Sequence, residues 1–279
     1  MKSIEALRKL TAEAENGELI FSTHAHVALQ VRMALDDPDI HMEKAAKVVH
    51  ADPILAAKVV GLANSVAFNR SGNPISDVRA AVMRLGLNLI RGLSTALIMR
   101  HFSATPTAAH QALAARLWEH STHVAALSYV LARRIGRQNS DMAMFAGIVH
   151  EIGGFYLISR AAVYPDLIDD SGNEAWKTGG EVQVGEAVLR ALAVPNEIAT
   201  AVRALWQGNV TLPPKCLADT LFLANCLTPM LNPLQSATSE SERVEMLALA
   251  TQVMADQGLA SVLEESSDEL NSIMASLSF

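Results

Sequence analysis

Apolar residues recur along the chain at intervals of three and four, as in Val27, Val31, Ala34 and Leu35, and rarely in strict alternation. A repeat near 3.6 buries one stripe of a helix, whereas a half-buried strand needs a repeat of two, so the spacing points to helices packed on helices. Ala, Leu, Met and Arg dominate over Thr, Tyr and the other strand formers, which supports the same conclusion. The fold class is all-α. With 279 residues, 50% of them hydrophobic, the chain can bury a sizeable core as one large or two modest domains.

Punctuation divides these stripes into elements. Ser3 caps a first helix that Gly17 closes, Ser22 or Thr23 caps a second, and Asp36-Asp37-Pro38-Asp39 makes a turn before a short helix at 42–50. Asp52 ahead of Pro53 predicts a helix start: the carboxylate accepts a free backbone N–H, and proline at the first helical position gives up a donor that had no partner. That helix runs to about Ala63, and a polar loop follows through Asn69 to Pro74. Another helix ends at Leu85-Gly86, and the next runs from Leu87 to about Phe102. Ser103 to Thr107 reads as a domain boundary. Beyond it the pattern predicts one long helix over 108–135 and a helix capped by Ser140 and running to Val149. Further helices follow at 152–162, 182–192 and 196–206, one into the Leu221 region, and two in the tail.

Charge is concentrated at one end. From Ala237 onward Glu240, Glu242, Glu245, Asp256, Glu264, Glu265, Asp268 and Glu269 face Arg243 alone, so the tail holds the whole net charge of −7 and the body is balanced. A balanced body with an acidic tail lacks the basic footprint of a nucleic-acid binder. The tail reads first as the solvated face of amphipathic helices, and second as a surface that could steer a basic partner. Cys216 and Cys226, ten positions apart, suit neither a disulfide framework nor a cysteine zinc site. No secretory signal opens the chain, and charge, Gly or Pro interrupts the apolar runs before the roughly 18 residues of a membrane span. The expected location is cytoplasmic, without membrane insertion.

Several motifs occur in order: Leu35-Asp36-Asp37-Pro38, then 51–60 with Asp52-Pro53, then Leu62-Ala63-Asn64-Ser65, then Pro74-Ile75-Ser76-Asp77 with 83–87. Leu117-Trp118-Glu119-His120-Ser121, then 146–153 around His150-Glu151, and then 180–186 with 194–198 continue the series. Together they resemble the HDOD family, the HD-related output domains of bacterial signalling, from about Ser22 to Leu231. The resemblance implies an amino-terminal helical bundle packed on a degenerate HD-like helical domain. The corresponding boundaries are 1–105 for the bundle, 106–236 for the HD-like lobe and 237–279 for the acidic tail. It also implies partners such as response regulators, sensor kinases or cyclic-nucleotide enzymes.

A hydrolytic HD site needs His and Asp ligands from several helices, because its metal must both activate a water and clamp a phosphate. All nine histidines, His24, His26, His41, His50, His101, His110, His120, His123 and His150, lie in the first 150 residues. Against the catalytic relatives, Glu181 stands where a later histidine is expected, Leu205-Trp206 where paired histidines end a helix, and Asn225 where a final Asp belongs. The His-Asp pair has become His150-Glu151. The vestigial pocket therefore comprises His120, His123, His150, Glu151, Glu181, Trp206 and Asn225. A site salvaged from His120, His123, His150 and Glu151 remains chemically conceivable because His120 and His123 share a helix face. Core or interface histidines are the expectation, and no metal or cofactor is assigned.

Arg133 and Arg137, one turn apart, could pair with nucleotide phosphates, although a helix end rich in Arg explains them equally well. The leading expectation is a non-catalytic regulator acting by protein–protein contact. The alternatives are a phosphohydrolase with a reduced metal site and a nucleotide receptor without hydrolysis. For the partner surface, the seam between the lobes is favoured over the tail, with Asn69 and Arg70 in a loop expected beside His120 and His150.

Overall fold

The computed structural model describes residues 2–15, 23–102, 107–135, 138–168, 175–235, 240–256, 258–259 and 261–278. Among them every regular element is helical. The first are α1 (Lys2–Glu15), α2 (Thr23–Leu35), α3 (Met42–His50), α4 (Pro53–Ala63) and α5 (Val78–Phe102). Then come α6 (Ala108–Ile135), α7 (Ser140–Val149) and α8 (Ile152–Ser159), followed by single turns at Pro165–Leu167 and Trp176–Gly180. The remainder are α9 (Glu181–Ala191), α10 (Asn196–Trp206), α11 (Leu217–Leu227), α12 (Glu240–Asp256), α13 (Val262–Glu265) and α14 (Ser267–Leu277).

Local chemistry sets most boundaries. Asp52 caps α4, its Oδ1 accepting from the backbone N–H groups of Ile54 at 2.9 Å and Leu55 at 3.0 Å. Gly86 breaks α5 with φ 77° and ψ 165°, a conformation that only glycine adopts cheaply, so two helical pieces meet there as the sequence predicts. Three local expectations shift. Asn139, not Ser140, caps α7, its Oδ1 accepting from Asp141 and Met142. Ser3 lies inside α1 rather than ahead of it. α8 stops at Ser159, where Arg160 and Ala161 bond back to the last carbonyls. Residues 103–106 of the expected Ser103–Thr107 boundary, with Gly17 and Ser22, lie outside the described residues.

Helices α2, α3 and α4 pack around α5, which in turn packs on α7 and α8 and joins this bundle to the second group of helices. Gly92 admits the Phe145 ring at this junction, and Phe102 meets Tyr156 edge to face at 5.5 Å. Arg32 of α2 is fully buried between the two groups. Its guanidinium pairs with Asp36, donates to Thr95 Oγ1 at 3.1 Å and reaches the Ala193 carbonyl, 161 positions away, at 2.9 Å. Charge buried this deeply requires that full set of partners.

Both ends of the chain fold onto the body. Although α1 falls within the expected 1–105 segment, it packs on α9, where Glu15 binds Arg190, and its Glu13 binds Arg160 and Tyr164 just beyond the end of α8. Among the described residues the tail makes three helices rather than two, and α14 lies across α4 and α6 with Ile273 and Leu277 fully buried. There Glu269 pairs with Arg133, and Ser272 Oγ accepts from Val66 N at 2.9 Å. The tail's last helix is thus part of the body and not a free acidic surface, because its apolar stripe finds a groove between two helices. The membrane argument also needs correction, since 78–102 and 140–159 are apolar and long enough to cross a bilayer by composition. In the structure they are core segments, 67% and 89% buried.

Candidate functional site

The long helix α6 carries His120, and the corner between α7 and α8 carries His150 and Glu151. Helices α6 and α7 cross at close range because position 147 is glycine: a Cβ there would stand 2.4 Å from Ala125 Cα. Helices α8 and α9 meet the same way, a Cβ on Gly153 falling 2.9 Å from Gly185 Cα. His150 ends α7, and Glu151 leaves helical geometry with φ −103° and ψ 18°, so both side chains turn toward α6. Trp206 closes one side, its Nε1 donating to the His150 carbonyl at 2.9 Å and its ring lying on Gly185.

Each ring has one nitrogen committed. His150 Nδ1 lies 2.7 Å from the Gly147 carbonyl and His120 Nδ1 lies 2.8 Å from the Met230 carbonyl. A carbonyl oxygen can only accept, so each Nδ1 carries a hydrogen and each neutral ring presents a bare Nε2. These Nε2 atoms stand 3.2 Å apart, and Glu151 Oε1 lies 3.5 Å from that of His150. Burial drives both histidines toward the neutral form, His150 down to about 3 with help from its neighbour His120.

The carboxylates are strained electrostatically. Glu151 accepts from Asn232 Nδ2 at 2.7 Å through Oε1, while its Oε2 and the Oε1 of Glu181 are buried without a hydrogen-bond partner. Burial, reinforced by Glu181, pushes Glu151 well above the ordinary carboxylate range, and burial raises Glu181 to about 7. Two lone pairs and two carboxyl groups thus converge in a buried space, and among the described residues no Lys or Arg acts on any of the four groups.

Such a donor set fits a first-row divalent cation. Ligand atoms of His120, His150 and Glu151 lie within 4.8 Å of one another. A tetrahedral ion with bonds of about 2.1 Å separates its ligands by about 3.4 Å, close to the 3.2 and 3.5 Å found here. The orphaned Glu151 Oε2 fits an electron-pair acceptor equally well. His120, His150 and Glu151 would hold the ion, which would supply the missing positive charge and tie α6 to the α7–α8 corner.

The HDOD domain family matches residues 21–207. The chain belongs to the HDOD family. No protein of curated function matches it. Among solved structures it is similar to a candidate metal-dependent phosphohydrolase from Shewanella amazonensis SB2B, with TM-score 0.73, 22% identity and 99% of each chain covered. It is also similar to an HDOD domain protein of unknown function from Geobacter sulfurreducens, with TM-score 0.59, 22% identity and 98% of each chain covered. A candidate signal transduction protein from Marinobacter aquaeolei VT8 aligns with TM-score 0.52 and 22% identity, over 92% of this chain and 66% of that one. At these identities the likeness concerns the all-α HDOD fold.

Within this HDOD chain the residues read from the sequence divide clearly. His120, His150, Glu151, Glu181 and Trp206 converge, and Asn225 lines a pocket of about 90 Å³ that leads to His120. His123 does not join the converging ligand atoms. Arg133 is engaged with Glu269, and Arg137 lies outside the described residues, so a paired phosphate clamp is not formed by what is described. The side chains of His24 and His26 are likewise outside the description. Asn69 and Arg70 are at the other end of α6: Phe68 stacks near Tyr129 at 5.1 Å, and Arg70 acts on Tyr129 and Glu269. Tyr129 is nine residues from His120, about 13 Å along the helix, so the loop is not beside the histidine pair. Sequence reasoning missed Met230, Asn232 and Gln235, which embrace the site from one segment. The prolines at 229 and 233 mark that segment as non-helical but say nothing of its target.

Proposed function

We propose that this HDOD protein is a non-catalytic signalling regulator that acts by binding other proteins, with response regulators, sensor kinases or cyclic-nucleotide enzymes as the partner class. The observation that carries the reading is the closure of the former catalytic centre. His120, His150 and Glu151 are exposed by only 2%, 0% and 2%. The pocket leading to His120 measures about 90 Å³ and is lined by Asn225, Cys226, Thr228, Met230 and their neighbours without Lys or Arg. A nucleotide needs roughly 300 Å³ or more, and hydrolysis needs an open coordination position beside groups that neutralise phosphate.

The convergence of three ligand atoms favours a second reading, a phosphohydrolase working through a reduced metal site. One experiment separates the two. Purified protein supplied with Mn²⁺, Mg²⁺ or Zn²⁺ is expected to release no phosphate from cyclic dinucleotides, guanosine polyphosphates or an artificial phosphodiester. It is also expected to retain signalling proteins in a pull-down from its native cell. Turnover that vanishes in His150→Ala and Glu151→Ala would replace the regulatory reading with the enzymatic one.

A further inference from the structure

One short segment between α11 and α12 holds the cluster from a single side. Met230 offers its carbonyl to His120 Nδ1 at 2.8 Å, Asn232 donates to Glu151 Oε1 at 2.7 Å, and Gln235 lies beside Glu181. Between them Leu234 is buried over Gly154, where a Cβ would stand 2.6 Å from its Cδ1. The segment is braced internally: Asn232 Oδ1 accepts from Leu234 N at 2.9 Å, and Thr228 Oγ1 accepts from Met230 N at 3.3 Å. Its two ends differ in support. Upstream it continues α11, buried against α6 and α10. Downstream it leads to α12, which packs on α11, contributes Met246 to the His120 pocket and leaves Val244, Leu247 and Leu249 exposed.

We propose that residues 228–235 form a strap that senses a divalent cation at His120, His150 and Glu151 and transmits its presence to the seating of α12. Without a cation, bare lone pairs on two Nε2 atoms face each other at 3.2 Å beside Glu151, a repulsion that only the surrounding packing and the strap hold in place. With a cation, the same atoms share one electron-pair acceptor at nearly unchanged spacing, and the repulsion becomes a bond between the elements that carry them. The Met230 carbonyl and the Asn232 amide then become the outer partners that fix the ring of His120 and the carboxylate of Glu151. Such outer hydrogen bonds typically change metal affinity by about 10–100-fold. Linkage makes the effect reciprocal, so a cation that is tightened by the strap must hold the strap by the same factor. The proposal deepens the regulatory reading by naming a ligand class for the closed site, and it rests on that reading only in treating the ion as a switch rather than a catalyst.

The test uses the full chain after chelator treatment, titrated with Zn²⁺ alone in a calorimeter and followed in parallel by hydrogen exchange. One equivalent is expected to bind, and exchange across 229–235 and along α12 is expected to slow by about tenfold or more. Asn232→Ala is expected to weaken Zn²⁺ by about 10–100-fold and abolish the slowing, Glu151→Gln to remove the tight equivalent, and His123→Ala to change neither. The comparison of wild-type protein with and without Zn²⁺ needs no variant, so a misfolded substitution cannot leave the question open. Failure to bind Zn²⁺, binding indifferent to Glu151→Gln, or binding that leaves strap exchange unchanged overturns the proposal. Those results leave partner capture untouched, whereas phosphate release would overturn the regulatory reading and leave the strap measurement standing.

Discussion

Gly147→Ala and Gly61→Ala make the same chemical change at two glycines inside helices and are expected to shift stability in opposite directions. A Cβ at 147 would lie 2.4 Å from Ala125 Cα, 2.8 Å from Ala125 N and 3.1 Å from the Val124 carbonyl carbon. Carbon atoms rest about 3.5–4.0 Å apart, so α6 and α7 must separate by about 1 Å. Every obstacle is backbone, and no rotamer change relieves it. Overpacking costs about 1–3 kcal/mol, and more where main chain must move. Helix propensity returns at most about 1 kcal/mol. The Gly147 carbonyl also holds His150 Nδ1 at 2.7 Å, so the displacement reaches the site. The net expectation is a loss of about 2 kcal/mol. A Cβ at Gly61, exposed on α4, would meet nothing within 4 Å. There the propensity gain of about 0.5–1 kcal/mol stands alone. At roughly 2–4 °C per kcal/mol, Tm should fall by about 6 °C in the first variant and rise by about 2 °C in the second. Far-UV circular dichroism during heating and in urea measures both. A Gly147→Ala protein as stable as its parent would refute the inference that backbone contact at this crossing sets the geometry of His150.

Asp52→Ala removes the bonds to Ile54 N and Leu55 N and is expected to cost about 1 kcal/mol in urea unfolding. Arg32→Ala leaves Asp36 and the Ala193 carbonyl without their buried donor and is expected to cost about 3–5 kcal/mol, read from the same curves. In chelator, His150 stays neutral in the fold down to about 3 while the unfolded chain takes up its proton near 6.5. The unfolded state then binds the extra proton, and this contribution to stability is lost as pH falls from about 6.5 toward 3. Glu181, raised to about 7, works in the other sense: the fold binds the extra proton between about 4.5 and 7, so stability falls as pH rises through that window. Glu181→Gln should therefore gain up to about 3 kcal/mol over wild type on going from pH 5 to pH 8, and equal pH slopes in the two proteins would sink this account.

Sequence alone determined what is settled within a few residues of chain. The Asp52-Pro53 start of α4, the Leu85-Gly86 break in α5, the limits of α6 and the all-α class follow from caps, glycine and a 3.6 repeat, each acting over one or two turns. His120, His150 and Glu151 were also legible as candidates, through the resemblance of 117–121 and 146–153 to the motifs of the family. Tertiary structure decided which surfaces meet. Periodicity marks the apolar stripe of α14 but not the groove between α4 and α6 that receives it. The same holds for α1 on α9, for the phenylalanine that carries the Asn69 loop to Tyr129, and for the burial of the Arg32 cation. The strap is the clearest case: Met230 meets His120 across 110 positions and Asn232 meets Glu151 across 81. Contacts at such range are selected by the combined shape and hydrogen-bonding needs of several packed elements, a property that no local stretch of the chain contains.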